Sequence, residues 1–157
     1  MGELPIHPGV VHLPIGIVFV LPFLLSLYII FFKKKLLERS GFVIILVLYG
    51  LLTISSVISI KTGENEISAV KNVVAQQHVN THENEAQNFL VVTLLALVTG
   101  ISTLVVNSLR YFQIGLIFNF FIQILLIYFA IQVGHTGGVL VYKYSATDAY
   151  LPRISNE

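Results

Sequence analysis

The residues of this sequence with the clearest potential for chemistry are five histidines: His7, His12, His78, His82 and His135. Imidazole is the commonest nitrogen ligand for protein-bound metals, and it also binds haem iron axially. The sequence contains no cysteine, which excludes thiolate zinc sites, iron–sulfur clusters and covalently attached c-type haem. Metal or haem chemistry in this chain must therefore depend on histidine, on carboxylates or on Met1.

Composition indicates that these histidines lie near a membrane. The 157 residues are 55% hydrophobic and only 11% charged, whereas a soluble domain carries roughly 25% charged residues. An uncharged apolar run of about 20 residues crosses a hydrocarbon core of roughly 30 Å as a helix. The sequence therefore predicts an all-α, four-helix transmembrane bundle in one membrane domain, residues 1–157, with helices over about 10–32, 41–60, 82–107 and 112–133.

The segment between the second and third helices predicts a separate short helix. Apolar residues from Ile67 to Val74 recur at helical spacing, which is typical of an amphipathic helix on the membrane surface, here over 62–80. Asn80, with Glu83 three residues later, is predicted to cap the third helix. No internal repeat is apparent in the residue pattern.

Basic residues predict the orientation of the bundle. Lys33, Lys34 and Lys35 follow the first helix, and Arg110 lies between the third and fourth helices. By the positive-inside rule these two short loops are cytoplasmic, so both termini face outward. All five histidines then lie at or beyond the outer, non-cytoplasmic face.

Three helices contribute histidines at this level, and the convergence favours a ligand set. His12, His82 and His135 belong to the first, third and fourth helices, and any two of them could hold a haem between helices of the bundle. His7 or His78 could complete a second pair, so one or two b-type haems are predicted near the outer, periplasmic face. Copper or zinc bound by the same imidazoles, with Glu83 or Glu64 in support, is an alternative. A structural subunit with idle interfacial histidines is another.

The remaining pattern limits the kind of function. No serine or threonine nucleophile lies in a recognisable motif, so no catalytic residue is predicted, and an electron carrier or redox subunit is favoured over an enzyme. Its expected partners are a quinol or a periplasmic redox protein, within a homo-oligomer or a larger membrane complex, and no nucleic acid. Gly134, Gly137 and Gly138 are predicted either to let the chain turn tightly after the fourth helix or simply to end it.

Both ends of the sequence resemble a known family. Residues 7–15, HPGVVHLPI, resemble the "HPxxVHFPI" opening of a bacterial membrane family catalogued as domain of unknown function 2231, with Leu13 replacing the usual phenylalanine. Residues 134–142, GHTGGVLVY, resemble its closing "GHxGGxLVY". The resemblance implies four transmembrane helices, a bacterial inner membrane and a lean toward redox function, since some members are joined to or encoded near cytochrome-type domains. The histidines that match the family are His7, His12, His82 and His135, whereas His78 lies outside its pattern.

Overall fold

The computed structural model describes residues 5–150, so Met1 lies outside the described residues. Within them the chain is helical and has no strand. The short α1 and the long α2 form one nearly continuous rod, and two 3₁₀ helices follow α2 and α5. The bounds are α1 His7–Val10, α2 His12–Lys33, α3 Val43–Val70, α4 Gln76–Val105 and α5 Leu109–Tyr142, with 3₁₀ helices at Arg39–Phe42 and Ala146–Tyr150.

The four long helices α2 to α5 are each long and apolar enough to cross a membrane, which confirms the predicted all-α transmembrane bundle. Each helix packs against two neighbours, in the cyclic order α2, α3, α4 and α5, and within the described residues the backbones of neither diagonal pair approach closely. Leu21, Tyr49, Ala96 and Leu126, one from each helix, are fully buried in the centre. Which end of the bundle faces the cytoplasm stays a prediction.

The helices extend well beyond their predicted ends. Helix α3 continues to Val70, and α4 begins at Gln76 after a short turn, so the separate amphipathic helix predicted over 62–80 is wrong. Asn80 lies inside α4, where its side chain accepts a hydrogen bond from the Gln76 amide at 2.9 Å, and the predicted cap is also wrong. The added turns of α3 and α4 could not be recognised as helical from their polar sequence, because packing of these helix ends against each other stabilises them.

Helix α5 likewise continues to Tyr142. Gly134, Gly137 and Gly138 therefore lie within a helix, and both predictions for them, a tight turn and a helix stop, are wrong. The projecting ends of α3, α4 and α5 surround a second small apolar cluster, whose buried members are Val74, Val79, Leu140 and Ala146. Burial of this cluster stabilises the added turns of α3, α4 and α5, which are not needed to cross a membrane.

The end of the bundle that carries Lys33–Lys35, called here the lysine end, is closed. The Arg39 guanidinium donates hydrogen bonds to the carbonyls of Leu104, Val106 and Asn107, and so satisfies the exposed carbonyl end of α4. It also lies 4.7 Å from the centre of the Phe112 ring. The opposite end, called here the histidine end, contains the start of α1, α2 and α4 and the ends of α3 and α5.

The two helical hairpins have the same pattern of buried positions, although the residues at those positions differ. Hairpin one is α1 to α3, and hairpin two is α4 and α5. Moving 75 positions along the chain, as from 14 to 89, converts the buried positions of α2 into buried positions of α4: Pro14, Val18, Leu21, Leu25 and Tyr28 become Phe89, Thr93, Ala96, Gly100 and Thr103. The expectation that no internal repeat exists is thus corrected at the level of burial.

A shift of 74 positions, as from 49 to 123, relates α3 to α5 in the same way. Tyr49 and Gln123 are equivalent under this shift, and they contact each other through a 2.9 Å hydrogen bond from the Gln123 amide to the Tyr49 hydroxyl. Equivalent helices also occupy diagonal positions in the cyclic order of the bundle. The bundle therefore has an approximate twofold axis along its length, and this axis passes between Tyr49 and Gln123.

Candidate cofactor cavity

His7 is the first residue of α1, and its imidazole is half-buried against α3. Its Nδ1 lies 2.9 Å from the carbonyl oxygen of Ser59 and 3.3 Å from the hydroxyl oxygen of Thr62. A carbonyl oxygen only accepts hydrogen bonds, so the neutral ring carries its proton on Nδ1. The other nitrogen, Nε2, then has a free lone pair.

His82 lies in the second turn of α4 and is also half-buried. Its Nδ1 is 2.9 Å from the hydroxyl oxygen of Thr136 on α5. The Thr136 hydroxyl lies 3.0 Å from the Gln132 carbonyl and 3.1 Å from the Val133 carbonyl, to which it donates its single proton. It must accept the proton of Nδ1, so His82 has the same tautomer as His7.

These two arrangements are equivalent in the two hairpins. In each, a histidine near the start of the first helix hydrogen-bonds to a threonine near the end of the second, and a glycine follows that threonine. A Cβ added at Gly63 would lie 3.1 Å from Cε1 of His7, and one added at Gly137 would lie 3.2 Å from Cε1 of His82. Each glycine therefore makes room for an imidazole edge, which is the role that Gly137 has inside its helix.

The two imidazoles lie beside each other at the histidine end. Their ring centroids are 6.3 Å apart, and their planes are inclined by 76°. The His7 ring is positioned by hydrogen bonds to α3, and the His82 ring by a hydrogen bond to α5. The structure therefore brings together one histidine from each hairpin, each with its Nδ1 occupied.

Both rings line a cavity of about 410 Å³, within the range of about 300–1,000 Å³ that is usual for ligand sites. Most of its lining is aliphatic, from residues such as Ile15, Ile60, Val133 and Leu140. Three carboxylates also line it, those of Glu64, Glu66 and Glu83. Among residues 5–150, no lysine or arginine lines the cavity. The cavity is thus apolar with two nitrogen donors and an acidic rim.

Glu66 closes the outer side of this cavity. One carboxylate oxygen accepts hydrogen bonds from the backbone N–H groups of Ile6 at 2.8 Å and His7 at 3.0 Å. The other accepts a bond of 3.0 Å from the Tyr150 hydroxyl. Burial, and then the hydrogen bond and negative charge of Glu66, raise the pKa of Tyr150 to about 12, so this hydroxyl keeps its proton. The segments at both ends of the described chain are thereby fastened to α3.

The other three histidines are placed differently. His12 also lines the cavity, but it is exposed at the rim. His135 is exposed and does not line the cavity, but it lines an adjoining surface groove, with Tyr142 and Lys143, that shares Gly134 and Gly138 with the cavity. His78 stacks on Tyr144, with ring centroids 4.0 Å apart. The four histidines of the predicted site are therefore divided, with His7 and His82 paired, His12 nearby and His135 apart from them.

A multidentate metal site does not emerge from this arrangement. Among residues 5–150, no group of three or more histidine, aspartate or glutamate side chains is close enough to hold a metal ion. Tetrahedral zinc sites in proteins use at least three protein ligands. The paired imidazoles provide two.

Sequence reasoning missed the residues that hold the imidazoles, namely Thr62, Gly63, Thr136, Gly137 and Glu66. One signal was available. The dipeptide Thr-Gly occurs at 62–63 and 136–137, each time 54 or 55 positions after a histidine, as from 7 to 62 and from 82 to 136. This spacing identifies the repeat and the histidine pair together.

The chain belongs to the family described as "Predicted membrane protein (DUF2231)", whose family model matches residues 3–149. This agrees with the resemblance of the two terminal motifs and with the four helices that could span a membrane. A search of curated proteins and a search of solved structures each found no match. The family establishes a membrane protein, and the chemistry of the cavity must be argued from its residues.

Proposed function

We propose that this protein is a membrane-embedded electron carrier that binds one b-type haem between His7 and His82. The observation that carries the proposal is the pair of imidazoles, one from each hairpin. Their Nδ1 atoms are hydrogen-bonded, and the lone pairs of their Nε2 atoms remain free to bind a metal. A hydrogen bond at the second ring nitrogen is what histidines that ligate metals usually have, because it fixes the tautomer and the ring orientation.

The two rings lie close enough for one group to be held by both imidazoles. The observed separation is 6.3 Å with strongly inclined ring planes. Two nitrogen donors in an apolar surrounding suit haem, whose macrocycle supplies four further ligands, better than they suit a zinc ion.

The cavity lining also fits the group, with one restriction. Aliphatic residues of all four long helices would contact the macrocycle, as in other helical bundles that hold cofactors. The haem propionates are anionic, and the described lining residues include three glutamates and no lysine or arginine. The described lining would therefore hold the apolar macrocycle and offers no partner to the propionates.

The arrangement supports one haem rather than two. His12 is exposed at the rim of the same cavity, and His135 lines a different groove. These two residues were predicted as ligands, but they do not form a second enclosed pair. The proposal therefore assigns His7 and His82 alone as the residues that would hold the haem.

Bound haem would supply one-electron transfer near the outer face of a bacterial inner membrane. The residues of this chain would bind and orient it: His7 and His82 as donors, Thr62 and Thr136 as the groups that fix their rings, and Glu66 as the group that holds the backbone of His7. Its redox partner would be a quinol or a periplasmic redox protein. Electron transfer of this kind needs no catalytic residue in the chain.

An absorption spectrum of purified protein tests the proposal. The protein is produced with added haem precursor and solubilised, and the spectrum is recorded before and after reduction with dithionite. A Soret band and a reducible α-band with one haem per chain are expected. Replacement of His7 or His82 by alanine should remove these bands, and His135→Ala should keep them because His135 lies outside the cavity.

Two other outcomes would contradict haem binding. A colourless protein with stoichiometric copper or zinc would assign the histidines to a metal ion instead. A colourless protein that remains metal-free after haem, copper and zinc have been offered would make the two imidazoles structural, as hydrogen-bonding groups between helices.

A further inference from the structure

The cavity has an open side, called here the mouth, between α2 and α5. The cavity-lining residues of α4 are all buried or half-buried, and those of α3 are half-buried except for Glu64. The exposed lining residues on the other helices are Pro8 of α1, His12 of α2, Gly134 and Val141 of α5, and Thr147 of the second 3₁₀ helix. Four of these five residues lie along the seam between α1–α2 and α5.

The repeat explains why only this seam is open. The equivalent seam between α4 and α3 has Ile60 in place of Gly134 and Glu64 in place of Gly138, as the shift of 74 positions shows. A Cβ added at Gly134 would meet nothing within 4 Å, and one at Gly138 would meet only Tyr142. Two glycines therefore leave a gap on one side of the bundle that larger side chains occupy on the other.

The mouth opens on an apolar part of the bundle surface. Its flanks carry exposed apolar residues, including Leu13 on α2 and Ile131 on α5. Toward the aqueous side, the Glu66 carboxylate fastens the segments of Ile6 and Tyr150 across the cavity. A molecule dissolved in the membrane therefore has a more direct path to the cavity than a soluble protein has.

The charge of the lining restricts the chemical class of that molecule. The described lining residues include three glutamates and no lysine or arginine, so an anionic phospholipid headgroup would be repelled. The His12 imidazole is exposed at the mouth and makes no hydrogen bond within the described residues, so it is available to a neutral ligand that carries a hydroxyl or carbonyl group. Apolar walls favour a ligand with a hydrocarbon tail.

We infer that the mouth between α2 and α5 is a docking site for the neutral headgroup of a lipid-soluble quinone or quinol, hydrogen-bonded to His12. The inference rests on the proposed function, since it names the membrane-borne partner of the same site rather than a soluble protein. It gives His12 a role as a ligand-binding residue at the rim, distinct from the two axial histidines.

Photolabelling of the full-length protein in lipid nanodiscs tests this docking site. The probe is an azido-quinone with a short isoprenoid tail, used on haem-free and haem-loaded samples, and labelled peptides are mapped by mass spectrometry. Label is expected on α2 and α5 around His12 and Gly134, and an unlabelled quinone should compete for it. His12→Phe should weaken competition about tenfold, the loss of one hydrogen bond of about 1.4 kcal/mol.

Gly134→Phe should block the mouth and reduce labelling at least about tenfold. Its matched control is Gly16→Phe, because Gly16 is also an exposed helical glycine with open space around its Cβ but does not line the cavity. The inference is overturned if label spreads evenly over the lipid-facing helices, if Gly134→Phe labels like the wild type, or if anionic lipid competes and quinone does not. Labelling of haem-free protein and the haem spectrum are independent readouts, so each proposal can fail alone.

Discussion

The two hairpins hold equivalent histidines by different means. His82 lies inside the continuous helix α4, so the helix itself determines where the ring points. His7 lies in the four-residue α1, which is separated from α2 at Val11 and contains Pro8 near its start. Its position depends on hydrogen bonds to Glu66, Ser59 and Thr62. The position of His82 is thus determined by its helix, whereas the position of His7 is determined by hydrogen bonds.

The same contrast appears one turn beyond the imidazoles. Glu66 in α3 is equivalent to Leu140 in α5 under the shift of 74 positions, as from 66 to 140. Leu140 is buried in the second apolar cluster, whereas Glu66 binds the segments at both ends of the described chain. Hairpin two is therefore stabilised here by apolar packing and hairpin one by hydrogen bonds to a carboxylate.

The largest difference between the hairpins should follow from filling the two glycine positions. A valine at Gly137 would press on a ring fixed by α4, whereas a valine at Gly63 would press on a ring in a short segment that can shift. We expect Gly137→Val to lower haem affinity about 100-fold, an overpacking cost near 3 kcal/mol, and Gly63→Val to lower it clearly less. Haem titration measures both, with Gly16→Val as control because Gly16 does not line the cavity, and equal losses would contradict the difference in rigidity.

The threonines should give the next largest effect. Thr136 is the side chain that accepts the Nδ1 proton of His82, whereas His7 has the Ser59 carbonyl at 2.9 Å as well as Thr62 at 3.3 Å. Thr136→Val should therefore weaken haem binding about tenfold, the lower range for groups that orient a ligating histidine. Thr62→Val should have a smaller effect. The comparison fails if titration gives the reverse order.

Loss of the Glu66 carboxylate should affect hairpin one alone. Glu66→Ala removes three hydrogen bonds, and for a half-exposed carboxylate we expect a cost of about 1 kcal/mol, or about fivefold in haem affinity. Hydrogen exchange should rise over residues 5–10 and 146–150 and stay unchanged around His82. Glu64→Ala is the control, since Glu64 is an exposed glutamate of the same lining. Faster exchange throughout α4 would show that the two halves are not independent.

The hydrogen bond across the twofold axis should matter for stability more than for haem. Tyr49→Phe leaves the Gln123 amide without its partner, next to an Oε1 atom that already has none within the described residues. The expected cost is about 1 kcal/mol of unfolding free energy, with little change in the haem spectrum. A double-mutant cycle with Gln123→Leu measures the coupling, and a coupling energy near zero would show that the two residues do not interact across the axis.

The smallest effect is expected at His135. It is exposed, does not line the cavity and has the exposed Lys61 as its equivalent in hairpin one. His135→Ala should change thermal stability by less than about 0.5 kcal/mol and leave haem affinity unchanged. A lost α-band in this variant would return His135 to the ligand set and remove the basis for pairing one histidine from each hairpin.

The sequence was sufficient for the architecture inside the membrane, because lipid requires long uncharged helices with all backbone groups satisfied. It was insufficient where the helices leave the membrane. Residues 61–70 and 76–87 are rich in polar side chains, so hydropathy no longer marks them as helical, and their helices depend on contacts with each other. The ends of α3, α4 and α5 are therefore tertiary features.

The same limit applies to the site. Topology brought all five histidines to one end, but it could not show which of them face inward. His7 and His12 are five residues apart on a nearly continuous rod and so lie about 140° apart around it. His7 is the one that faces α3, where the space above Gly63 receives its ring. The repeat was concealed because equivalent buried positions carry different residues, such as Leu25 and Gly100.

A bundle made from two identical, separate hairpins would carry each of its features twice. By symmetry such a homodimer would have two mouths or none, and two carboxylate fasteners or none. Joining the hairpins in one polypeptide removes that constraint, because each half can change without its counterpart changing too. The glycines of α5 and the glutamate of α3 are differences of this kind, and because of them an approximately twofold bundle has a mouth on one side only.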